Sequence, residues 1–451
     1  MYSLYIFRRD FRIIDNIGFT ECMKNNKYII PIFIFTPEQI KTNSYKSSNA
    51  VQFMIQSLEN LNNVLDNKLN LLYGNQESII LQLIKKYKIN SIYTNTDYTP
   101  YSIKRDYQLS KLCNKLQINF KLFHDICLLK PGTVLNKTKQ YYQKFTPFYN
   151  EHLKHSINKP TKNNNKVNFK KIDIKYSISF NKTKSFYKYN KYISVLGGRN
   201  IGLLILKNII DFKNYKKERN ILALNTTRLS AYLKFGCLSI REVYYSFLKN
   251  FGKKCDLIKQ LIWRDFYYNL GFGYKDRFGK SLKEKYDNIK WINNKTFIDK
   301  WKNCKTGYPV VDACMKELNT TGYMHNRGRL IVSGFLIKNL QTNWRIGEKY
   351  FATQLVDYDV LVNQGNWQWA SGSGADSQPY FRIFNPWLQS KNFDPDCIYI
   401  KKWLPELKDI PNKEIHEWDK FYSKYKLYYK PIIDYKLSKE ITLNIYKKGI
   451  N

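Results

Sequence analysis

The hydrophobic rhythm of this chain changes once along its 451 residues, and that change constrains the fold more than any other feature. Up to about residue 125, short β-branched or aromatic runs (Ser3-Leu4-Tyr5-Ile6-Phe7, Tyr28 to Phe35, Leu69 to Tyr73, Ser91 to Thr94) alternate with stretches of helical period such as Val51 to Leu65 and Ser78 to Tyr87. Alternation at this spacing predicts an α/β doubly wound parallel sheet. Beyond Gly197-Gly198, apolar positions recur at helical spacing to about residue 425, which predicts a large all-α unit. Between the two, residues 151–191 hold 11 Lys against Glu151 and Asp173, the composition of a basic linker or surface crossing rather than a core. The expected division is 1–128, 129–198 and 199–451. No G-x-G-x-x-G supports dinucleotide binding by the first unit.

Charge narrows the partners. The chain has 75 basic and 36 acidic residues, a net charge of +39. Such an excess implies a polyanionic partner, with nucleic acid ahead of a membrane surface or an acidic protein. Part of it reads as a solvated Lys-rich surface, because Lys, Asn, Ile and Tyr crowd together throughout. The eight cysteines show no C-x-x-C and no His at metal spacing, so free thiols and no metal site are expected. Met1 to Arg12 reads as a strand rather than a signal peptide, and no apolar run approaches a membrane span. The expectation is a soluble intracellular protein with no membrane partner, cytoplasm and nucleus being indistinguishable.

Five clusters in the helical half carry chemistry. Asn225-Thr226-Thr227-Arg228-Leu229-Ser230 sets hydroxyls and amides ahead of a helix, where phosphate oxygens can be held, although a plain N-cap looks the same. In Gln260 to Tyr267, Gln260, Trp263, Arg264 and Tyr267 share one helix face; an indole beside an amide and a guanidinium can stack on a base and bond its edge. Lys305 to Pro309 is a turn into the helix Val310 to Leu318. Gly322 to Arg329 opens another helix, with Asn326 and Arg329 on one face and Arg327 elsewhere; His325 alone reads as structural. Last comes Asp357-Tyr358-Asp359 followed by Asn363 to Trp369. Trp367 and Trp369 leave nearly opposite faces of a helix, and the two carboxylates can pair with Arg329 or Arg264 or bond a polar heterocycle.

These clusters, in this order, resemble the cryptochrome/photolyase family. Phe7-Arg8-Arg9-Asp10-Phe11-Arg12 with Asp15-Asn16 is similar to its opening motif, Phe145-Thr146-Pro147-Phe148 to its interdomain landmark, and Trp403-Leu404-Pro405-Glu406-Leu407 to a C-terminal one. The resemblance spans essentially the whole chain and is closest to the class I cyclobutane pyrimidine dimer photolyases.

The resemblance implies an antenna-type α/β domain, a helical FAD-binding catalytic domain, and a carbon–carbon lyase that repairs dimers in DNA by light-driven electron transfer. Tyr215 and Thr226, Thr227, Arg228, Leu229 and Ser230 would hold the FAD phosphates and ribose. Arg264, Asn326, Arg329, Asp357, Asp359 and Asn363 would surround the rest, with Asn363 facing the flavin N5. Trp291, Trp344 and Trp367 match the electron-transfer chain that reduces the flavin. Trp263 and Trp369 match the walls of the pocket for a flipped lesion, and Arg219, Gln260, Arg264, Asn326, Arg327 and Leu330 complete the contacts to UV-damaged DNA. A monomer is expected. Gln260 replaces a usual Glu and Leu330 a usual Met. Asn326 stands where (6-4) photolyases have a second His. Ser102, in a stretch similar to the family's antenna loop, replaces the carboxylate of folate-binding members, so methenyltetrahydrofolate, deazaflavin and no antenna at all remain open. The alternatives are a cryptochrome-like blue-light receptor and (6-4) specificity.

Overall fold

The first strand, β1 (Tyr2–Phe7), lies at the centre of a parallel sheet because its residues from Ser3 onward are all buried, leaving neither face for water. In this computed structural model, which describes residues 1–163 and 165–450, β1 pairs with β2 (Tyr28–Phe35) on one side and β4 (Ile89–Asn95) on the other. β3 (Asn70–Tyr73) and β5 (Asn119–Phe123) flank them, giving the order β3-β2-β1-β4-β5, all parallel. The expected doubly wound sheet is thus present. Polar residues that bond the first free N–H groups start its helices: Ser47 for Ser48–Val64, Asn75 for Gln76–Tyr87 and Thr99 for Pro100–Lys115. β5 escaped the sequence reading because it is an edge strand with no buried residue.

The Lys-rich crossing differs from a free linker. Asn168–Phe169 pairs with the start of β2, and the Tyr73 and Ile178 amides exchange backbone bonds across the β3 edge. The crossing thereby covers an edge that would otherwise be free to pair with another chain. Ile157, Ile172, Ile174 and Phe186 are buried, so sparse apolar anchors pin it to the core despite its charge. Phe145 and Phe148, on the helix Phe145–His152, pack against Phe266 of the helical half.

The two halves are joined by charge. Arg12 and Asp125 meet at 2.6 Å, Arg241 and Asp125 at 2.8 Å, and Arg241 and Asp15 at 2.8 Å, all four side chains at most 4% exposed. Each guanidinium offsets the cost of burying a carboxylate, so removing any member leaves an uncompensated charge. Arg12 and Asp15 belong to the opening motif, which this network accounts for structurally. Among the described residues no helix is long and apolar enough to cross a membrane, and no cluster could hold a metal ion.

Candidate active site

The helix Val360–Ser371 organises the site. Asp359 caps its start by accepting from the Val362 amide, and Gly372 ends it in the left-handed conformation at φ +82°. It packs closely because two glycines face large rings. A Cβ on Gly347 would lie 2.2 Å from the Trp367 indole, and one on Gly365 would lie 2.3 Å from the Tyr267 ring. Trp367 is therefore pressed onto the helix Trp344–Gln354, with the Phe351 ring edge-on at 4.9 Å.

On the same flank as Trp367, Asn363 donates its amide hydrogens to the Glu348 carboxylate at 2.9 Å and the Glu348 carbonyl at 3.2 Å. The amide is thus oriented, and its Oδ1 accepts from no group among the described residues. Burial pushes the Glu348 carboxyl above its usual range. Trp344, at the head of its helix, is buried with its indole N–H unpaired, and Trp291 is partly exposed and meets the Tyr446 ring edge-on at 5.6 Å. A bond from the Asn343 amide to Asn293 ties the Trp291 loop to the start of the Trp344 helix.

Of the two acids, Asp357 pairs with Arg329 as the sequence suggests, and Asp359 takes other partners. Arg329 holds Asp357 with its Nη2, at 3.1 and 2.9 Å to the two carboxylate oxygens, and Ser230 adds a hydroxyl bond at 2.6 Å. Asp359 instead accepts from the Tyr268 hydroxyl at 2.6 Å and from Arg9 of the opening motif. Burial alone would raise the Asp359 carboxyl, but Arg9, Arg264 and Lys234 hold it well below the carboxylate range. The Arg264 guanidinium lies 4.7 Å over the ring of Tyr268, one turn on in the same helix, and donates to the Ile126 carbonyl. Lys234, near Asp359 and Asp97, is pushed down to about 7 by burial and by Arg9.

Around the Thr226–Ser230 turn, Thr226 shares a hydrogen bond with the Tyr323 hydroxyl, while Arg228, at φ +51°, reaches Ser194 and Asn225. Leu229 is buried, and Ser230, an exposed residue, begins a five-residue helix. Thr227 is partly buried, as is Tyr215, which lies beside Arg219. Asn326 is exposed at the first position of the helix Asn326–Gly334. Arg327 stacks 4.0 Å over Phe393 and donates to Asn220, on a different side from Arg329. His325 accepts the Arg327 amide proton at Nδ1, which leaves the neutral ring's hydrogen on Nε2; burial and the neighbouring arginines lower its pKa to about 4.

On another flank of the organising helix, Trp369 donates its indole N–H to the Asp376 carbonyl at 3.1 Å. Trp263 stacks on Phe145 with ring centres 3.6 Å apart and planes 5° apart. Gln260 and Leu330 are both partly exposed. Phe145, Glu348, Arg9 and Tyr268 are site residues that the sequence reading did not assign there.

A family model described as the FAD binding domain of DNA photolyase matches residues 257–448, and one described as DNA photolyase matches residues 3–165. The deoxyribodipyrimidine photo-lyase of Buchnera aphidicola (from Acyrthosiphon pisum) is 35% identical, covering 99% of this chain and 97% of its own length. The crystal structure of an archaeal photolyase from Sulfolobus tokodaii, described as having two FAD molecules, superposes with a TM-score of 0.89 at 38% identity over 99% of this chain and all of that one. A Synechocystis cryptochrome superposes with a TM-score of 0.87 at 28% identity, over 99% of each chain. The chain belongs to the DNA photolyase family.

FAD is the cofactor of that family's helical domain, and the residues here fit it. Arg264 Nη2 and His325 Nε2 are buried donors without partners among the described residues, as expected around a phosphate-bearing ligand rich in acceptor oxygens. Ser230, the Asn363 Oδ1 and the Arg329–Asp357 pair add hydroxyl, carbonyl and charged groups suited to the remainder.

Proposed function

We propose that the protein repairs cyclobutane pyrimidine dimers in DNA with light, using FAD as its cofactor. The observation that carries this reading is the double use of Val360–Ser371, which fixes Asn363 through Glu348 on one flank and Trp369 through Asp376 on another. Reduced FAD, when bound, supplies on illumination the electron that breaks the two carbon–carbon bonds of the cyclobutane ring and takes it back afterwards, so there is no net redox change. The protein's own work is to bind, orient and exclude water. Tyr215, the Thr226–Ser230 turn, Arg264, Asn326, Arg329, Asp357 and Asp359 hold the cofactor. Asn363, already bonded through its nitrogen, offers its Oδ1 as a neutral acceptor to an N–H of the bound ring. Trp291, Trp344 and Trp367 form the route for an electron from the surface.

Trp263 and Trp369 receive the lesion once it has left the duplex, and Gln260, Asn326 and Leu330 border it. Arg219 and Arg327 hold phosphates; burial and then the like charge of Arg219 lower the Arg327 pKa, so an anion there relieves a repulsion. The chain's net charge of +39 supports DNA as the partner. Because one chain supplies every residue of the site, a monomer suffices.

We read residues 1–128 as an antenna domain, 129–198 as the crossing and 199–451 as the catalytic domain. The C-terminal ends of β1 and β4, where the strand order reverses, are the ligand position of such sheets. There the Arg8 guanidinium meets Asp106 at 2.7 Å yet has no well-directed hydrogen bond among the described residues, and Arg105 Nη2 and Asp106 Oδ2 also lack partners there. This supports an antenna chromophore, methenyltetrahydrofolate or deazaflavin. Ser102 bonds internally to Thr99 and Asp97.

Illuminating the FAD-loaded protein with oligonucleotides carrying either a cyclobutane dimer or a (6-4) product tests the function. Light-dependent loss of the dimer alone is expected. Bound FAD with no light-dependent loss of either lesion would leave the light-receptor reading.

A further inference from the structure

We propose that Asp376 is a positioning residue that sets the separation of the two indoles of the lesion pocket. The inference rests on the assignment of Trp263 and Trp369 to that pocket. Asp376 is bonded toward both. Its carbonyl accepts the Trp369 indole N–H at 3.1 Å, and its carboxylate Oδ1 accepts the Phe145 amide proton at 3.2 Å. Its own amide donates to the Gln143 carbonyl at 2.8 Å, so the chain around Phe145 is held by two bonds in opposite senses. The Phe145 ring in turn lies flat on Trp263 at 3.6 Å. A continuous strap, Trp369 to Asp376 to Phe145 to Trp263, therefore joins walls that come from two different helices.

The strap is stiff. The Ser373 and Gly374 amides both donate to the Gln368 carbonyl, and the Ser377 hydroxyl reaches the Gly372 and Gly374 carbonyls at 2.8 Å. A Cβ on Gly374 would lie 2.8 Å from Gln368 backbone and side-chain atoms, so the loop lies against the helix. Asp376 stands at φ +53°, a conformation that Asp and Asn tolerate and Gly adopts freely. The position thus asks for two properties together, left-handed backbone and a side-chain acceptor. Stacking of a flipped base depends on ring placement, and a stacked base contributes about 1–3 kcal/mol.

The test compares D376G, which keeps the backbone and removes the acceptor, with D376N, which keeps both, and with W263A as a check on the pocket. FAD-loaded proteins are titrated with dimer-containing and undamaged oligonucleotides, and repair is followed at saturating dimer. D376G is expected to lose about tenfold in dimer affinity, the loss of roughly one well-stacked contact. Its flavin content, undamaged-DNA affinity and repair per bound dimer stay at wild-type levels, and D376N binds as the wild type does. Wild-type dimer affinity in D376G alongside a loss in W263A overturns the strap and leaves the pocket. An equal loss in D376N also overturns it, because the acceptor would then not matter. Wild-type affinity in W263A overturns the pocket itself. Should D376G not retain flavin, F145L reads the same strap: a tenfold loss of dimer affinity supports it and wild-type affinity overturns it.

Discussion

Arg9, two residues past the end of β1, donates to the Asp359 carboxylate across 350 residues of sequence, joining the sheet to the cap of the helix that carries Asn363, Trp367 and Trp369. Both side chains are largely buried, at 12% and 8% exposure. Arg9→Met leaves the Asp359 charge without this partner and should destabilise the protein by about 3–5 kcal/mol at neutral pH. The pH dependence has a definite sign. Asp359 is held below its usual 3.8 when folded, so its contribution is present above that value and is lost as pH falls through the depressed one. Denaturant melts from pH 7 down to the acid limb should show wild-type stability falling toward the variant's. Equal stability of the two at pH 7 would refute the pairing.

Lys234 gives the opposite limb. Its folded pKa is lowered from 10.5 to about 7, so between those values the unfolded chain holds a proton that the folded protein has released. Stability should therefore rise with pH across that window relative to Lys234→Met. A constant difference between the two proteins from pH 7 to 10.5 would contradict the assignment.

Gly347→Ala places a methyl group 2.2 Å from the Trp367 indole and 2.6 Å from Leu336. Overpacking of this kind should cost about 1–3 kcal/mol and displace Trp367. Thermal melting reads the first effect, and a slower light-driven reduction of bound flavin the second. An unshifted melting curve would show that the ring has room to move.

Arg327→Ala should weaken binding to damaged and undamaged DNA alike and lower the slope of log affinity against log salt by about 1, as for one lost phosphate contact. A change confined to lesion DNA would place Arg327 on the lesion instead.

The sequence made much of this site legible because its chemistry is local. Asn363, Trp367 and Trp369 share one helix, so their flanks follow from helical geometry. The parallel sheet was readable from its buried apolar strands. The partners were not. Arg9 for Asp359, Glu348 for Asn363 and Phe145 for Trp263 meet only after the two halves and distant helices pack, and residue spacing carries no signal of that. Arg264 is a case of the same kind, since its guanidinium donates to the Ile126 carbonyl, a partner 138 residues away. In the Lys-rich crossing the composition carried the charge but not the anchoring, because a few buried isoleucines and Phe186 suffice to pin a stretch that is charged on average.

The central claim is that one helix serves the cofactor and the lesion on separate flanks. The most direct measurement compares Trp367→Phe and Trp369→Ala in two assays, light-driven reduction of bound flavin and repair of a dimer oligonucleotide by chemically pre-reduced protein. Trp367→Phe should abolish the reduction while leaving pre-reduced repair within about twofold of wild type. Trp369→Ala should reduce flavin normally and lose roughly 1–3 kcal/mol of dimer binding. If each variant impairs both assays to the same extent, the division of the helix is wrong.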